Sequence, residues 1–215
     1  GVWNHFDEID FNALPDQFVL KCTHDSGGLV ICTDKSKFDR EVARKKIEHS
    51  LKRNFYWFGR EWPYKNVPAR IIAEKYMSED KNDTESTFNE INGGLRDYKL
   101  YCFDGKVKLY LVTTDRSKGA TTGDYFDEQN RHLDLIWGFP NAKTIPDVPN
   151  NIEKMKELAE ILAAGIPQLR VDFYCIHDKV YFGELTFFDG SGFDEIEQEC
   201  YRDLLGDYIK LPTLV

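Results

Sequence analysis

Two runs of aromatic and β-branched residues, joined by a short turn, lie within residues 168–192. Such runs are typical of half-buried strands, and their closeness in sequence predicts a hairpin with its turn at residues 177–179. Each strand carries one carboxylate, Asp172 in the first and Glu184 in the second. Because a strand has only two faces, the pairing of this hairpin decides whether the two acids lie side by side.

The length of the turn sets this pairing, because side chains alternate between the faces of a strand. A three-residue loop at 177–179 places Asp172 directly opposite Glu184, and Arg170 opposite Thr186. A two-residue loop instead pairs Asp172 with the residue before Glu184 and sends the two acids to opposite faces. Both alternatives are compatible with the sequence.

An opposed acid pair has a specific chemical implication. Two like charges across a strand pair repel unless a cation lies between them. With an arginine and a hydroxyl nearby, such a pair suits a Mg²⁺ ion that also holds phosphate oxygens. Without metal, we expect amidation of Asp172 or Glu184 to leave the protein as stable as before, or slightly more stable. The alternative is an ordinary hairpin whose acids face water.

Composition narrows the classes of function. The chain has 215 residues, and 28 Lys and Arg against 37 Asp and Glu give a formal charge of −9. An acidic chain argues against nonspecific nucleic-acid binding. Five scattered cysteines without a CxxC pair favour a reducing, cytoplasmic location. There is no signal peptide and no apolar run near about 18 residues, so we expect no transmembrane segment. The sequence begins at Gly1 rather than Met, as either a piece of a longer chain or a chain after tag removal would.

A glycine-rich loop lies between two short apolar runs near the N-terminus. The runs at residues 18–22 and 29–32 predict strands, and the loop between them contains Ser26, Gly27 and Gly28. Glycines let backbone N–H groups approach a phosphate closely. Neither a Walker loop nor GxGxxG is present, so an ordinary hairpin loop is the alternative. We expect the loop to be mobile when no nucleotide is bound.

The remaining elements follow from periodicity and capping residues. Residues 36–53 predict a helix capped by Ser36, and residues 70–77 a strand. Asp-Gly predicts a tight turn in a hairpin over residues 97–113. Two further helices are expected, one capped by Asn150 and one over residues 195–205 that ends at Gly206. The first helix has a basic face, which is either solvated or in contact with an anionic polymer; its residues are Lys37, Arg40, Arg44, Lys45 and Lys52.

Four motifs follow one another along the chain: FVLKCTHDSGG, DYKLYCFDGK, RVDFY and FGELTF. In these motifs the chain resembles the ATP-grasp superfamily, and closely its TupA-like (teichuronopeptide biosynthesis) branch. The resemblance runs from about Ile9 to Leu211. It implies an α+β fold in which two α+β lobes clasp ATP between antiparallel sheets. Residues 1–15 would be a remnant of an N-terminal subdomain, 16–77 the lid lobe, and 78–215 the C-terminal lobe with the Mg²⁺ site.

The resemblance also implies roles for residues that would bind ATP. Lys21 would contact the phosphates, and the backbone of Lys75 and Met77 would meet adenine, with Glu74 nearby. The loop that covers the phosphates would consist of His24, Ser26, Gly27 and Gly28.

For catalysis, the resemblance implies that Asp172 and Glu184 hold Mg²⁺. Arg116 or Arg170 would neutralise charge on the transferred phosphoryl group, and Lys99 would be a further contact to phosphate or substrate. Thr186 stands where many ATP-grasp enzymes have Asn, and its hydroxyl can still offer an oxygen to the metal. The superfamily usually has an N-terminal subdomain that carries another ATP-contacting lysine; within this sequence only residues 1–14 could belong to it.

The implied activity is that of an ATP-dependent carboxylate–amine ligase. A carboxylate substrate would accept the γ-phosphoryl group of ATP, and an amine co-substrate would displace phosphate. The TupA-like branch indicates amidation of a uronic acid of a cell-surface polysaccharide with an amino acid or peptide. The alternatives are an ATP-grasp kinase with a hydroxyl acceptor, and a noncatalytic module that holds an anionic glycan.

Overall fold

The computed structural model describes residues 1–77, 96–114 and 121–211. The chain forms two compact units, Gly1–Met77 and Ser78–Val215. Each unit is built on one antiparallel sheet. Residues 78–94, whose polar sequence is typical of a loop, and the candidate catalytic residue Arg116 lie outside the described residues.

The first unit has a four-stranded sheet in the order β1-β4-β2-β3. Its strands are β1 (Val2–Trp3), β2 (Phe18–Cys22), β3 (Val30–Cys32) and β4 (Ile71–Lys75). Its helices are α1 (Arg40–Leu51) and α2 (Tyr56–Gly59), with 3₁₀ turns at Phe6–Glu8, Lys35–Lys37 and Trp62–Tyr64. Alternate residues of β2 are buried, as a half-buried strand requires. They pack with Ala43 and Ile47 of α1, and with Phe6 and Phe11 of the N-terminal segment.

Helix α1 begins later than the sequence predicted. Ser36 does not cap it, because Ser36 lies in a separate 3₁₀ turn that Asp34 caps. The carboxylate of Asp39 instead accepts hydrogen bonds from the backbone N–H groups of Glu41 and Val42, which is the usual geometry of a helix N-cap.

The second unit has a six-stranded sheet in the order β10-β9-β5-β6-β7-β8. The strands are β5 (Tyr98–Phe103), β6 (Lys106–Thr114), β7 (Thr122–Asp127), β8 (His132–Leu133), β9 (Gln168–Ile176) and β10 (Lys179–Thr186). Its helices are α3 (Ile152–Leu162) and α4 (Glu199–Tyr208), and a 3₁₀ turn lies at Asp189–Gly192.

The two faces of this sheet are different. On one face, Leu100 and Val171 pack with Met155 of α3 in the largest core cluster. On the other face, Leu111 and Tyr125 pack with Leu205 of α4 in a smaller cluster. Since side chains alternate along a strand, residues 99 and 101 of β5 and residues 170 and 172 of β9 share the face of α4.

Two predictions for the second unit are wrong, and two of its strands were not predicted. The unpredicted strands are β7 and β8, which lie within residues 117–149, a stretch with few periodic apolar positions. Helix α3 begins after Asn151, whose side chain donates to the backbone oxygen of Asp178 rather than capping the helix. Helix α4 continues through Gly206, and the ring of Tyr208 in its last turn packs 5.5 Å from that of Phe103.

The hairpin formed by β9 and β10 combines the two alternatives left open by the sequence. The three-residue loop is wrong: Lys179 pairs with Ile176, and the turn has two residues in left-handed conformation. A bulge at Gly183 then adds one residue to β10 and brings Glu184 back opposite Asp172.

Packing explains why the two-residue turn is preferred. It places Val180 on the face of α3, where Val180 contacts the larger core. It also brings the rings of Phe182 and Phe173 to a centroid distance of 6.5 Å. Gly183 suits the bulge because a Cβ there would lie 3.0 Å from the backbone oxygen of Asp172.

Candidate active site

A cluster of charged side chains lies on the α4 face of the second sheet. Asp172 pairs with Glu184 on one side and with Lys99 on the other, so three charged residues stand in one row across β10, β9 and β5. Asp172 is 3% exposed. Its Oδ2 atom lies 2.5 Å from Nζ of Lys99, and the same Nζ lies 3.4 Å from Asp97. The two acids therefore lie opposite each other, which is one of the two alternatives that the sequence left open, and Lys99 lies beside them.

Arg170 lies at the centre of this cluster. Its Nε and Nη2 atoms donate to Asp172 at 2.7 and 2.9 Å, and Nη2 also donates to Glu184 at 3.1 Å. Its Nη1 atom donates to Asp189. Burial alone would lower the pKa of Arg170, but the adjacent carboxylates of Asp172 and Asp189 outweigh burial and raise that pKa, so the guanidinium stays charged. The expectation of an uncompensated acid pair is wrong, because two cations already lie among the acids.

Sequence reasoning missed two members of the cluster. The hydroxyl of Tyr101 donates to Oδ2 of Asp189 at 2.6 Å, and Tyr101 is fully buried. Burial raises the pKa of Tyr101, so its phenol remains a neutral donor. Tyr101 lies two residues after Lys99, so strand alternation could have placed it on the same face. No spacing in the sequence links Asp189 to Arg170.

The donor set can be tested against the magnesium that the resemblance implied. Oxygens of Asp172 and Glu184 contact the same nitrogen of Arg170 at 2.9 and 3.1 Å, so they converge on one point. The Thr186 hydroxyl donates to the same Glu184 oxygen at 3.1 Å. In the described part of the chain, no group of three or more His, Cys, Asp or Glu could hold a metal. The residues fit Mg²⁺ that keeps waters and phosphate oxygens as ligands, which is its usual mode, rather than a metal enclosed by protein.

In the first unit, two of the candidate nucleotide contacts meet. Nζ of Lys21 lies 2.8 Å from the Glu74 carboxylate, and both side chains are about half exposed. Lys75 ends β4 on the surface, and Met77 follows two residues later, partly buried. Lys21 thus presents a cation at the sheet surface, held by an exposed ion pair that is weak in water.

The predicted phosphate loop has a buried, hydrogen-bonded base and an exposed tip. His24 is 3% exposed, and its Nε2 atom lies 2.8 Å from the backbone oxygen of Arg53. The buried carboxylate of Asp25 accepts a hydrogen bond from Ser50. A Cβ on Gly28 would lie 2.6 Å from this carboxylate, so Gly28 is required by packing within the unit. The tip residues Ser26 and Gly27 are exposed, whereas His24 is directed into the protein.

The chain was compared with known families and structures. The model of the TupA-like ATPgrasp family matches residues 1–210. A D-alanine–D-alanine ligase structure from Bacillus anthracis is 16% identical, with 95% of this chain and 55% of that chain covered and a TM-score of 0.43. The D-alanine–D-alanine ligase from Helicobacter pylori is 14% identical, with 86% and 45% covered and a TM-score of 0.42. D-cycloserine synthetase DcsG is 15% identical, with 79% and 47% covered and a TM-score of 0.39.

This chain spans about half the length of the solved structures that it matches. A comparison with curated protein sequences gave no match. Among the helices of the described residues, none is both long and apolar enough to cross a membrane.

Proposed function

Since the chain belongs to the TupA-like ATP-grasp family, we propose that it acts as an ATP-dependent ligase that joins a carboxylate to an amine. A carboxylate oxygen of the substrate would attack the γ-phosphorus of ATP, with ADP as the leaving group. The amine nitrogen would then attack the carbonyl carbon of the acyl phosphate. Phosphate would leave, the amine would lose a proton, and an amide would form.

The observation that carries this proposal is the arrangement of Arg170 among three carboxylates, beside Lys99. Phosphoryl transfer depends mainly on positioning and on neutralising negative charge. We propose that Asp172 and Glu184, with the hydroxyl of Thr186, hold Mg²⁺, which when bound would neutralise charge on the phosphate oxygens.

With Mg²⁺ on the two acids, the N–H groups of Arg170 and Lys99 that now bond those acids would become available to the substrate. The fixed guanidinium of Arg170 would donate to oxygens of the transferred phosphoryl group, where charge develops. Lys99, anchored by Asp97 and only 13% exposed, would orient an anionic oxygen of the nucleotide or of the carboxylate substrate. Arg116 is proposed for the same neutralising role, on the resemblance alone.

The first unit would supply the nucleotide contacts. Lys21 would exchange its exposed partner Glu74 for a phosphate oxygen, a stronger charge-assisted hydrogen bond. The backbone N–H groups of Ser26, Gly27 and Gly28 would cover the phosphates, and the backbone of Lys75 and Met77 would meet adenine. Because His24 is buried, we propose that it supports this loop by its bond to the Arg53 backbone rather than by contacting phosphate.

We propose residues 16–77 as the lid lobe and 78–215 as the lobe that binds Mg²⁺, with 1–15 as the remnant of a further subdomain. For the substrates, we propose a uronic acid of a cell-surface polysaccharide and an amino acid or peptide. Use of ATP agrees with the cytoplasmic location predicted from the cysteines. The alternative of a glycan-holding module is less well supported, because Arg44 on the basic face of α1 is already paired with Asp7 and Glu48.

The proposal is tested by ADP and phosphate release with uronic acids and amino acids supplied in pairs and singly. We expect release that needs both partners, and an amide product by mass spectrometry. Arg170→Lys and Lys99→Met should lower kcat, whereas the matched control Asp127→Asn, which removes a remote carboxylate–arginine pair, should not. A phosphorylated sugar without amide would indicate a kinase instead. Release that no carboxylate–amine pair stimulates would refute the ligase.

A further inference from the structure

Each nitrogen of the Arg170 guanidinium donates to a carboxylate. Nε bonds Asp172, and Nη2 bonds both Asp172 and Glu184. Nη1 bonds Asp189, in the turn that follows β10. Two of these three carboxylates are the acids proposed to bind Mg²⁺, and Asp189 is the third.

Arg170 and a metal ion therefore compete for the same oxygens. The oxygens of Asp172 and Glu184 that converge on Nη2 are those that a shared cation would need. If Arg170 released them without another partner, a guanidinium that is only 8% exposed would be left unpaired, which is strongly unfavourable. Among the described residues, Asp189 is the one carboxylate partner of Arg170 that the metal does not need.

Asp189 is itself held in place. Its Oδ2 atom accepts from the buried hydroxyl of Tyr101 at 2.6 Å, which leaves Oδ1 for Arg170. The turn that carries it has left-handed residues at Gly190, Ser191 and Gly192, so its backbone path is tightly specified. An acid fixed by two donors in this way can retain one edge of a guanidinium while the other edge changes partner.

We propose that Asp189 is a positioning residue that keeps Arg170 in the active site when Mg²⁺ occupies Asp172 and Glu184, and that Tyr101 holds Asp189 for this purpose. The inference rests on the proposed metal role of the two acids. Without Asp189, the carboxylate partners that the described part of the chain offers Arg170 are the two metal acids. It then binds them more tightly, so Mg²⁺ binds less well and the guanidinium is misplaced once the metal is bound.

The test measures metal binding as well as turnover. Mg²⁺ is titrated calorimetrically into the whole protein saturated with a non-hydrolysable ATP analogue, for wild type, Asp189→Asn and Tyr101→Phe. We expect the apparent Mg²⁺ dissociation constant to rise about three- to tenfold in Asp189→Asn, as for residues coupled in one network, and less in Tyr101→Phe. The control Asp127→Asn should match wild type. In turnover, kcat should fall in both variants while the KM for the carboxylate substrate is unchanged.

A double-mutant cycle shows whether Asp189 acts through Arg170. In an Arg170→Met background, Asp189→Asn should no longer weaken Mg²⁺ binding, whereas a general structural effect would persist there. Equal Mg²⁺ affinities in wild type and both single variants would overturn this inference and leave the ligase proposal intact. A wild type that binds the analogue but shows no response to Mg²⁺ would overturn the metal role and the inference together. If Asp189→Asn fails to fold, the Mg²⁺ affinity of Tyr101→Phe decides the question. This variant keeps the charge of Asp189 and removes only the hydrogen bond from Tyr101 that restrains it.

Discussion

The stability of the Asp172→Asn variant shows whether Asp172 belongs to a buried ion-pair network or to an exposed pair of acids. Asp172 is 3% exposed and accepts three charge-assisted hydrogen bonds, two from Arg170 and one from Lys99. An amide there keeps a single acceptor and turns an NH₂ group toward two cations. Breaking one side of a buried pair costs about 3–5 kcal/mol. Arg170 keeps Asp189 and Lys99 keeps Asp97, so we expect a loss of about 2–4 kcal/mol.

The matched variant is Glu184→Gln. The Glu184 side chain is 58% exposed and accepts from Arg170 at 3.1 Å, so its amidation should cost less than about 1 kcal/mol. The stability of apo protein is compared by hydrogen exchange of the β5 and β9 amides in increasing urea, which reports on the second unit alone. If both variants were equally stable, or if Asp172→Asn stabilised the apo protein, the network would not hold this part of the sheet together.

Three further predictions concern other parts of the chain. Gly28→Ala should destabilise the first unit by about 1–3 kcal/mol in urea melts, because the added Cβ would overlap the Asp25 carboxylate. The control Gly206→Ala should be neutral or stabilising, because its added Cβ would have no heavy atom within 4 Å. Burial opposes ionisation of Asp127, but hydrogen bonds from the arginine four residues later outweigh burial and lower the pKa of Asp127. The stability that ionised Asp127 contributes is therefore present above about pH 4 and is lost as the pH falls further. Asp127→Asn should abolish that part of the dependence of the melting temperature on acid pH. Exposed Cys200 should react with a maleimide in the native protein. Cys102 should react only after unfolding, because it is buried and burial raises its pKa to about 12. Equal labelling rates of the two thiols in the native protein would contradict this.

The sequence was most informative where local chemistry decides structure. The Asp104-Gly105 dipeptide predicted the β5–β6 turn, and both residues have positive φ, at 51° and 72°. Strand alternation gave two alternatives for Asp172 and Glu184, and the bulge at Gly183 produces the one in which they lie opposite each other. Alternation could not choose the turn length, because that choice depends on packing of Val180 against a helix distant in sequence.

Other features are hidden because they arise only in the tertiary structure. Strand β7 escaped prediction because it contains the fully buried acid Asp124, which interrupts its apolar pattern. The carboxylate of Asp124 is satisfied by His132 at 2.9 Å and by the backbone N–H of Ala142 at 3.2 Å, contacts that no local pattern predicts. Asp189 was missed for the same reason, since it lies in a 3₁₀ turn and its partners Arg170 and Tyr101 come from β9 and β5.

The bulge at Gly183 lets a two-residue turn and an opposed acid pair occur in the same hairpin. Without the bulge, this turn would pair Asp172 with Gly183 and send Glu184 to the face of α3. The extra residue could equally lie in the turn, because a three-residue loop at 177–179 would pair the same two acids without a bulge. Deleting Gly183 would also leave Glu184 opposite Asp172, since Glu184 would then follow Phe182 directly in a regular ladder. In relatives with a longer turn, the equivalent acid must be found by face and not by its distance from the turn.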